Sequence, residues 1–358
     1  MTNSMSTETS RTNGTLDARW RALRAEQSSI RQKDAAEALG VSEAELLAAR
    51  RGDGVERLAG PWGELIKKLP DLGVVMALTR NENVVHEKVG QYEKISIMQN
   101  MGLVLNEAID LRIFLNHWAF GFAVFEPTDS AMRRSLQFFD VDGRAVHKIY
   151  LRDDSDIAAY EALVASYRYT EHWEALNILP AIVPPADRPD AAIDQPALRD
   201  RWQALQDVHD FHAMLQDLGA GRVQALRLIG EDWAYRVEND SFQLALNMAA
   251  NAELPIMIFA GNAGVIQIHT GPVQQLKRTG PWFNVLDADF NLHLREDRIA
   301  QSWVVKKPTA DGIVTSLELY DANNNQIAWM FGARKPGQPE LEAWRALVGA
   351  LADKRLSV

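Results

Sequence analysis

The chain has 358 residues, 47% of them hydrophobic, which is enough for two substantial cores and long for one ordinary domain. A formal net charge of -10 argues against a broad nucleic-acid surface, because phosphate binding is driven by clustered lysine and arginine. The absence of cysteine excludes disulfides, thiolate-held zinc or iron-sulfur clusters and a cysteine nucleophile, and fits a reducing compartment.

The opening stretch MTNSMSTETSRTNGT is polar, without the apolar core of a signal peptide, and reads as a tail over residues 1–16. No later run approaches the roughly 18 apolar residues of a membrane span, so membrane insertion is not expected and a cytoplasmic protein is. Residues 20–51 read as helical. The segments VVMALTR, ENVVHEKV, LVLNEAIDLRIF, AFGFAVFE, SLQFFDV and RAVHKIYL then alternate as strands, separated by turn signals such as Asp142-Gly143. A helix over 157–169 closes this half, and the proline-bearing stretch 180–197 reads as a linker. Helical spacing returns over 198–229, where Trp202, Leu205, Val208, Leu215 and Leu218 recur. The strands PIMIFAG, GVIQIHTG, FNVLDADFNLHLR, IAQSWVVKK, VTSLELYD and QIAWMFG follow, and residues 339–351 close the second half as a helix.

The order of elements repeats because the sequence repeats. Asn81 falls on Asn262, 181 residues on, and the same offset pairs Val104-Leu105 with Val285-Leu286, Leu111 with Leu292, Pro127 with Pro308, Ser135-Leu136 with Ser316-Leu317 and Asp140 with Asp321. The chain therefore reads as a tandem duplication of an α+β unit, with repeats over 17–179 and 198–358. Short strands with tight connections favour a large antiparallel meander in each half, packed with helices. Such a pair leaves a cleft between sheet and helices that suits a large flat ligand.

The strings NEAIDLRIFLNHWAFGFAVFE, DVHDFHAMLQDLGAGRVQALR, GNAGVIQIHTGPV and VVKKPTADGIVTSLELYD, taken in order, resemble signature stretches of the HemS/HmuS family of hemin-transport and hemin-degrading proteins. The resemblance covers residues 23–351. It implies haem b held between the halves, with an axial histidine from a helix of the second half and an arginine from the first on the opposite face. At matching positions these are His209 in DVHDFH and Arg112 in IDLRIF. It further implies Phe114 and Phe259 against the porphyrin, and Arg222, Lys306 and Arg334 near the propionates.

The residues themselves are compatible with these roles and with plainer ones. His209 and His212 are three apart on a helix and project to one side, so His212 is an alternate ligand or second contact; read alone, such a pair is more often at a surface. Arg112 and Phe114 alternate onto one strand face, where a guanidinium, always protonated, would donate hydrogen bonds near iron and be the catalytic group if the protein is an enzyme. The plainer reading pairs Arg112 with Asp110 or Glu107. Lys306, Lys307, Arg334 and Lys335 could meet carboxylates or simply blunt a sheet edge. Arg112 corresponds by offset to His293, and the remaining histidines, His293 included, show no ligand spacing. No HExxH zinc motif, nucleophile elbow or phosphate loop is present.

The function implied is a cytoplasmic carrier in a haem-uptake system, receiving haem from an inner-membrane importer and passing it to a haem oxygenase. The alternatives are a haem-degrading enzyme using an external reductant, since no flavin or nicotinamide fingerprint appears, and a haem-responsive regulatory or interaction protein, with nucleic acid disfavoured by charge.

Overall fold

A computed structural model describes residues 14–128, 131–172, 175–183, 185–335 and 337–356; most of the expected tail and Pro184 of the expected linker lie outside the described residues. The duplication appears first in the helices. The first copy opens with α1 (Leu16–Glu26), α2 (Gln32–Leu39) and α3 (Glu43–Ala49), and carries α4 (Trp62–Ile66) and α5 (Ile157–Tyr167) later. The second opens with α6 (Gln195–Gln203), α7 (Asp210–Leu218) and α8 (Arg222–Leu228), and carries α9 (Ser241–Asn251) and α10 (Glu342–Ala350). The caps repeat as well. Gly40 and Gly219 end α2 and α7 in the left-handed region, at φ 68° and 61°, where a side chain would be strained. Glu45 and Gln224 reach back to the main-chain N–H groups of Ser42 and Gly221, fixing the starts of α3 and α8.

Two nine-stranded antiparallel sheets lie beneath these helices. The N-terminal sheet runs in the spatial order β1 (Val55–Leu58), β7 (Phe120–Pro127), β8 (Met132–Phe139), β9 (Ala145–Leu151), β2 (Val74–Arg80), β3 (Val84–Gln91), β15 (Phe290–Arg295), β14 (Trp282–Leu286) and β13 (Leu276–Thr279). The C-terminal sheet runs β10 (Ala234–Val237), β16 (Gln301–Thr309), β17 (Gly312–Tyr320), β18 (Gln326–Gly332), β11 (Ile256–Gly261), β12 (Val265–Gly271), β6 (Asp110–Phe114), β5 (Met101–Leu105) and β4 (Ile95–Met98). The α+β class and the paired antiparallel sheets follow the sequence reading. Each half also lends a three-stranded arm to the other's sheet, β4–β6 in one direction and β13–β15 in the other.

The exchange has a packing reason. Phe283, Val285, Phe290, Leu292 and Leu294 of the second arm hydrogen-bond into the N-terminal sheet, yet bury against Phe242, Leu246, Ile256, Ile258 and Trp344 of their own half. Val104, Leu111 and Ile113 do the reciprocal with Leu65, Val75, Ala77 and Ile149. Each such side chain contributes roughly 1.5–3 kcal/mol on burial, so both arms are held by face and by edge at once.

Asn81 and Asn262, the pair that set the sequence offset, lock the crossing. The Asn262 amide nitrogen donates to the Arg80 and Val146 carbonyls, both at 2.9 Å, and that of Asn81 to Gly261 at 3.1 Å and Ile327 at 2.9 Å. A buried polar chain joins the sheets beside them. Tyr92 Oη lies 2.6 Å from His147 Nε2, Thr79 Oγ1 is 2.9 Å from His147 Nδ1, and the Thr79 hydroxyl donates to Gln267 at 2.8 Å. Burial pushes His147 down to about 3.

Candidate functional site

Strand alternation and register decide which side chains share a surface. Phe259 on β11 pairs with Trp329 on β18 and with Ile268 on β12. Ile268 pairs with Asp110, and Ile266 with Arg112, on the borrowed strand β6. Arg112 pairs onward with Leu103, and Phe114 with Met101. One face of the C-terminal sheet therefore carries Trp329, Phe259, Ile266, Ile268, Arg112, Phe114, Leu103 and Met101 across five adjacent strands. Met101 is 51% exposed, with Met98 beside it at 64% and Leu105 at 42%. Methionines and a leucine left open to this degree, next to half-buried Phe114 and Phe259, mark a surface that receives something apolar.

The cluster α6–α8 covers the other end of the same face. Phe211 of α7 lies under two cations, Lys307 at 4.6 Å and Arg222 at 5.1 Å from its ring centre. Both cations converge on Glu318 of β17. The Arg222 Nη2 donates to Glu318 Oε1 and Oε2 at 3.0 and 2.9 Å, its Nε donates to Tyr320 Oη at 2.8 Å, and Lys307 Nζ reaches Glu318 at 2.8 Å. Burial alone would raise the Glu318 carboxyl, but Arg222 and Lys307 outweigh it and hold it well below the usual carboxylate range. Burial likewise opposes the Arg222 charge, and Glu318 overcomes it. Arg222 is thus the clamp that seats α8 on the sheet.

His209 is the N-cap of α7 and stands 82% exposed. Its orientation is set from below: Asp207 accepts the His209 main-chain N–H at 2.9 Å and faces its ring Nδ1 at 2.6 Å. A carboxylate only accepts, so in the neutral ring Nδ1 carries the proton and Nε2 presents a lone pair outward. The His209 N–H above all, helped by its ring and the charge of Arg334, holds Asp207 below its ordinary value against the opposing effect of burial. His212 follows one turn on and is exposed, because Phe211, Met214 and Leu215 take the buried side of α7. The DVHDFH turn rests on the tip of the β16–β17 hairpin, where the Ala310 N–H donates to the Gln206 carbonyl at 2.9 Å. Arg334 donates to Asp311 in that same tip at 3.1 Å.

Arg112 bonds through Nη1 to the Asp110 carboxylate and to the Leu111 carbonyl, and keeps 29% of its side chain exposed. Burial raises the Asp110 carboxyl and Arg112 opposes it. Of the residues singled out from sequence, Arg112, Phe114, Phe259 and the Arg222 clamp share one face, and His209, His212 and Arg334 gather at its helical end. Lys306 is not brought there. It alternates to the opposite face, where Nζ sits 5.7 Å from the centre of the Tyr235 ring, while its neighbour Lys307 occupies the shared face. Sequence reasoning missed Asp207, Glu318, Met98, Met101 and Phe331, whose ring packs 5.1 Å from that of Phe259. Only Asp207 carried a signal there, an acceptor two residues before a histidine at a helix start. Among the described residues no helix is long and apolar enough to cross a membrane.

Three comparisons bear on this arrangement. The hemin transport protein HmuS of Yersinia pestis is 40% identical over 346 residues, 96% of this chain and 99% of that protein. The crystal structure of holo-PhuS, a heme-binding protein from Pseudomonas aeruginosa, superposes with a TM-score of 0.91 at 48% identity, covering 93% of this chain and 96% of PhuS. That of ChuS, an E. coli heme oxygenase, gives 0.86 at 35% identity, covering 95% and 100%. The haemin-degrading HemS/ChuX domain matches twice, over residues 40–167 and 219–351, and the chain belongs to that family.

Proposed function

We propose that this chain binds haem b on the C-terminal sheet face and acts as a cytoplasmic carrier in haem uptake, taking its cargo from an inner-membrane importer and surrendering it to a haem oxygenase. The observation that carries this reading is His209: an exposed imidazole whose Nδ1 faces Asp207, which leaves Nε2 as the free ring nitrogen at the helical end of the face that carries Phe259, Phe114 and the exposed methionines. When bound, haem would supply an iron that an imidazole can hold, and His209 is the residue that would hold it. The donor set fits that need, and the family's relatives, named for hemin transport and heme binding, support the same ligand.

The chain's residues divide the remaining work. Phe114, Phe259 and Met101 exclude water from an apolar ring system. Arg112, steadied by Asp110, places a fixed positive charge and hydrogen-bond donors on the sheet side. Arg334 lies near the DVHDFH turn, where carboxylates of a ligand would meet it. Carriage is favoured over ring opening because His209 is so exposed that an acceptor can reach and displace it. The second reading, opening of the porphyrin with an external reductant, is favoured by one feature, the part-exposed guanidinium of Arg112 on the same sheet face, which would donate hydrogen bonds to a bound ligand there, and by the relative described as a heme oxygenase.

An absorbance time course of hemin-loaded protein with reductant and catalase tests the choice. The expected result is a stable Soret band that decays only when a haem oxygenase is added. Loss of the band with a defined tetrapyrrole product in its absence would overturn the carrier reading.

A further inference from the structure

Three methionines stand on the face that carries Phe259 and Phe114. Met257 lies two residues before Phe259 on β11, pairs with Phe331 and is half-buried. Met101 pairs with Phe114, and Met98 pairs with Met101 across the β4–β5 hairpin, so both side chains leave the same side of the sheet. At 64% and 51%, Met98 and Met101 are the most exposed methionines among the described residues. They do not hang on a loose loop. Gln99 turns the chain in the left-handed region at φ 52°, and the Leu115 N–H donates to the Asn100 carbonyl at 2.7 Å, which braces the turn between them. Leu103 and Leu105 follow Met101 on the same side of β5, so apolar contact at this edge needs no sulfur. What methionine adds at 98 and 101 is a thioether that reagents in water can reach.

A thioether needs no deprotonation to act as a nucleophile, so exposure decides which methionine reacts first. With hydrogen peroxide the sulfur lone pair takes one peroxide oxygen: an S–O bond forms as the O–O bond breaks, sulfur is oxidised by two electrons, and the second oxygen leaves with both protons as water. The product is a sulfoxide, polar and hydrogen-bond accepting, which enzymes can reduce back to the thioether. At Met101 it would sit opposite Phe114. Arg112, engaged through Nη1 by Asp110 and the Leu111 carbonyl, lies opposite Leu103 and not Met101. An apolar ligand laid over the hairpin would therefore strip water from the sulfoxide without replacing the lost hydrogen bond.

We infer that Met98 and Met101 form a reversible oxidation site, where hydroperoxides turn the apolar rim of this face polar and lower its hold on an apolar ring system. The consequence for hemin rests on the haem reading of the C-terminal face; the order in which the methionines react does not. Two sets of methionines give the comparison. Met132 is 45% exposed but opens β8 in the N-terminal sheet, paired with Pro127, so it offers the same chemistry away from the ligand face. Met214 and Met330, 4% and 0% exposed, are shielded by the cores they pack in, and Met76 and Met257 are half-buried.

Full-length apoprotein is exposed to hydrogen peroxide, quenched with catalase and mapped by peptide mass spectrometry, with circular dichroism confirming that it stays folded. Sulfoxides are expected at Met98 and Met101 before Met76, Met214, Met257 or Met330. Hemin titration at the Soret band is then expected to show an affinity lower by about tenfold, restored by a methionine sulfoxide reductase with its reductant. Compared each with its own untreated form, Met132→Leu is expected to keep this fall and the double variant Met98→Leu, Met101→Leu to lose it. The inference is overturned if Met98 and Met101 react no sooner than the shielded methionines, if protein oxidised at both keeps its affinity, or if the fall survives in the double variant. Untreated protein that takes up no hemin would remove the haem reading, while early sulfoxides at Met98 and Met101 would still uphold the oxidation site.

Discussion

Asp207 decides which nitrogen of His209 is free, and the same geometry gives it two separable jobs, bracing the turn before α7 and orienting a ring. Its replacement by alanine is expected to weaken hemin binding about tenfold to a hundredfold, the usual effect of removing an outer partner of a metal-ligating histidine. An unchanged affinity in a Soret titration would reduce Asp207 to a brace of that turn. If Arg112 stands beside bound iron as proposed, Arg112→Ala is expected to retain hemin but to reoxidise faster once reduced, measured by stopped-flow absorbance; identical rates would make Arg112 purely a partner of Asp110. At this scale much was legible. Alternation placed Arg112 and Phe114 on one face, and helical spacing put His209 and His212 on one side of α7. Lys306 and Lys307 show the limit: adjacent strand residues point to opposite faces, and choosing between them requires knowing which face the helices cover.

Among the elements, the seat of α7 and α8 is a buried charge cluster. Glu318 is fully buried with two cations and the Tyr320 hydroxyl around it. Glu318→Gln leaves Arg222 and Lys307 without their counter-charge, and is expected to destabilise the fold by about 3–5 kcal/mol, as breaking one side of a buried pair does. Urea unfolding measures this; a loss below about 1 kcal/mol would show that the cluster is hydrated, as exposed pairs are. Element boundaries were less legible than element types. LVLNEAIDLRIF reads as one strand, but Asn106 accepts the main-chain N–H groups of Ala108 and Ile109 and folds it into β5 and β6. The four-residue edge strands β1 and β10 are too short to stand out, and α9 fell between a helical stretch and a strand without being separated from either.

For the whole molecule, the interface between the sheets is where pH acts. Burial pushes His147 down to about 3, and burial together with Lys88 does the same to His269. The unfolded chain binds protons on both rings below pH 6.5 while the folded chain does not, so stability is full above about 6.5 and declines as pH falls toward 3. Thermal melts at stepped pH should show this slope, and His147→Gln should flatten it; a melting temperature constant from pH 7 to 4 would mean the rings stay hydrated. The duplication and both sheets were visible in the sequence, but the exchange of arms was not, because turn residues specify neighbouring strands while the partner of an arm is chosen by distant burial. An isolated half, 198–358, would leave β12 without its neighbour β6 and its own arm without a host. It is expected to pair as a dimer that trades arms, seen by size-exclusion chromatography with light scattering, and a stable monomer would count against the exchange. The same architecture sets a schedule during synthesis. The N-terminal sheet ends at β3 until Phe290–Arg295 has left the ribosome, so for most of translation the nascent protein carries a raw strand edge that only its own late sequence can close.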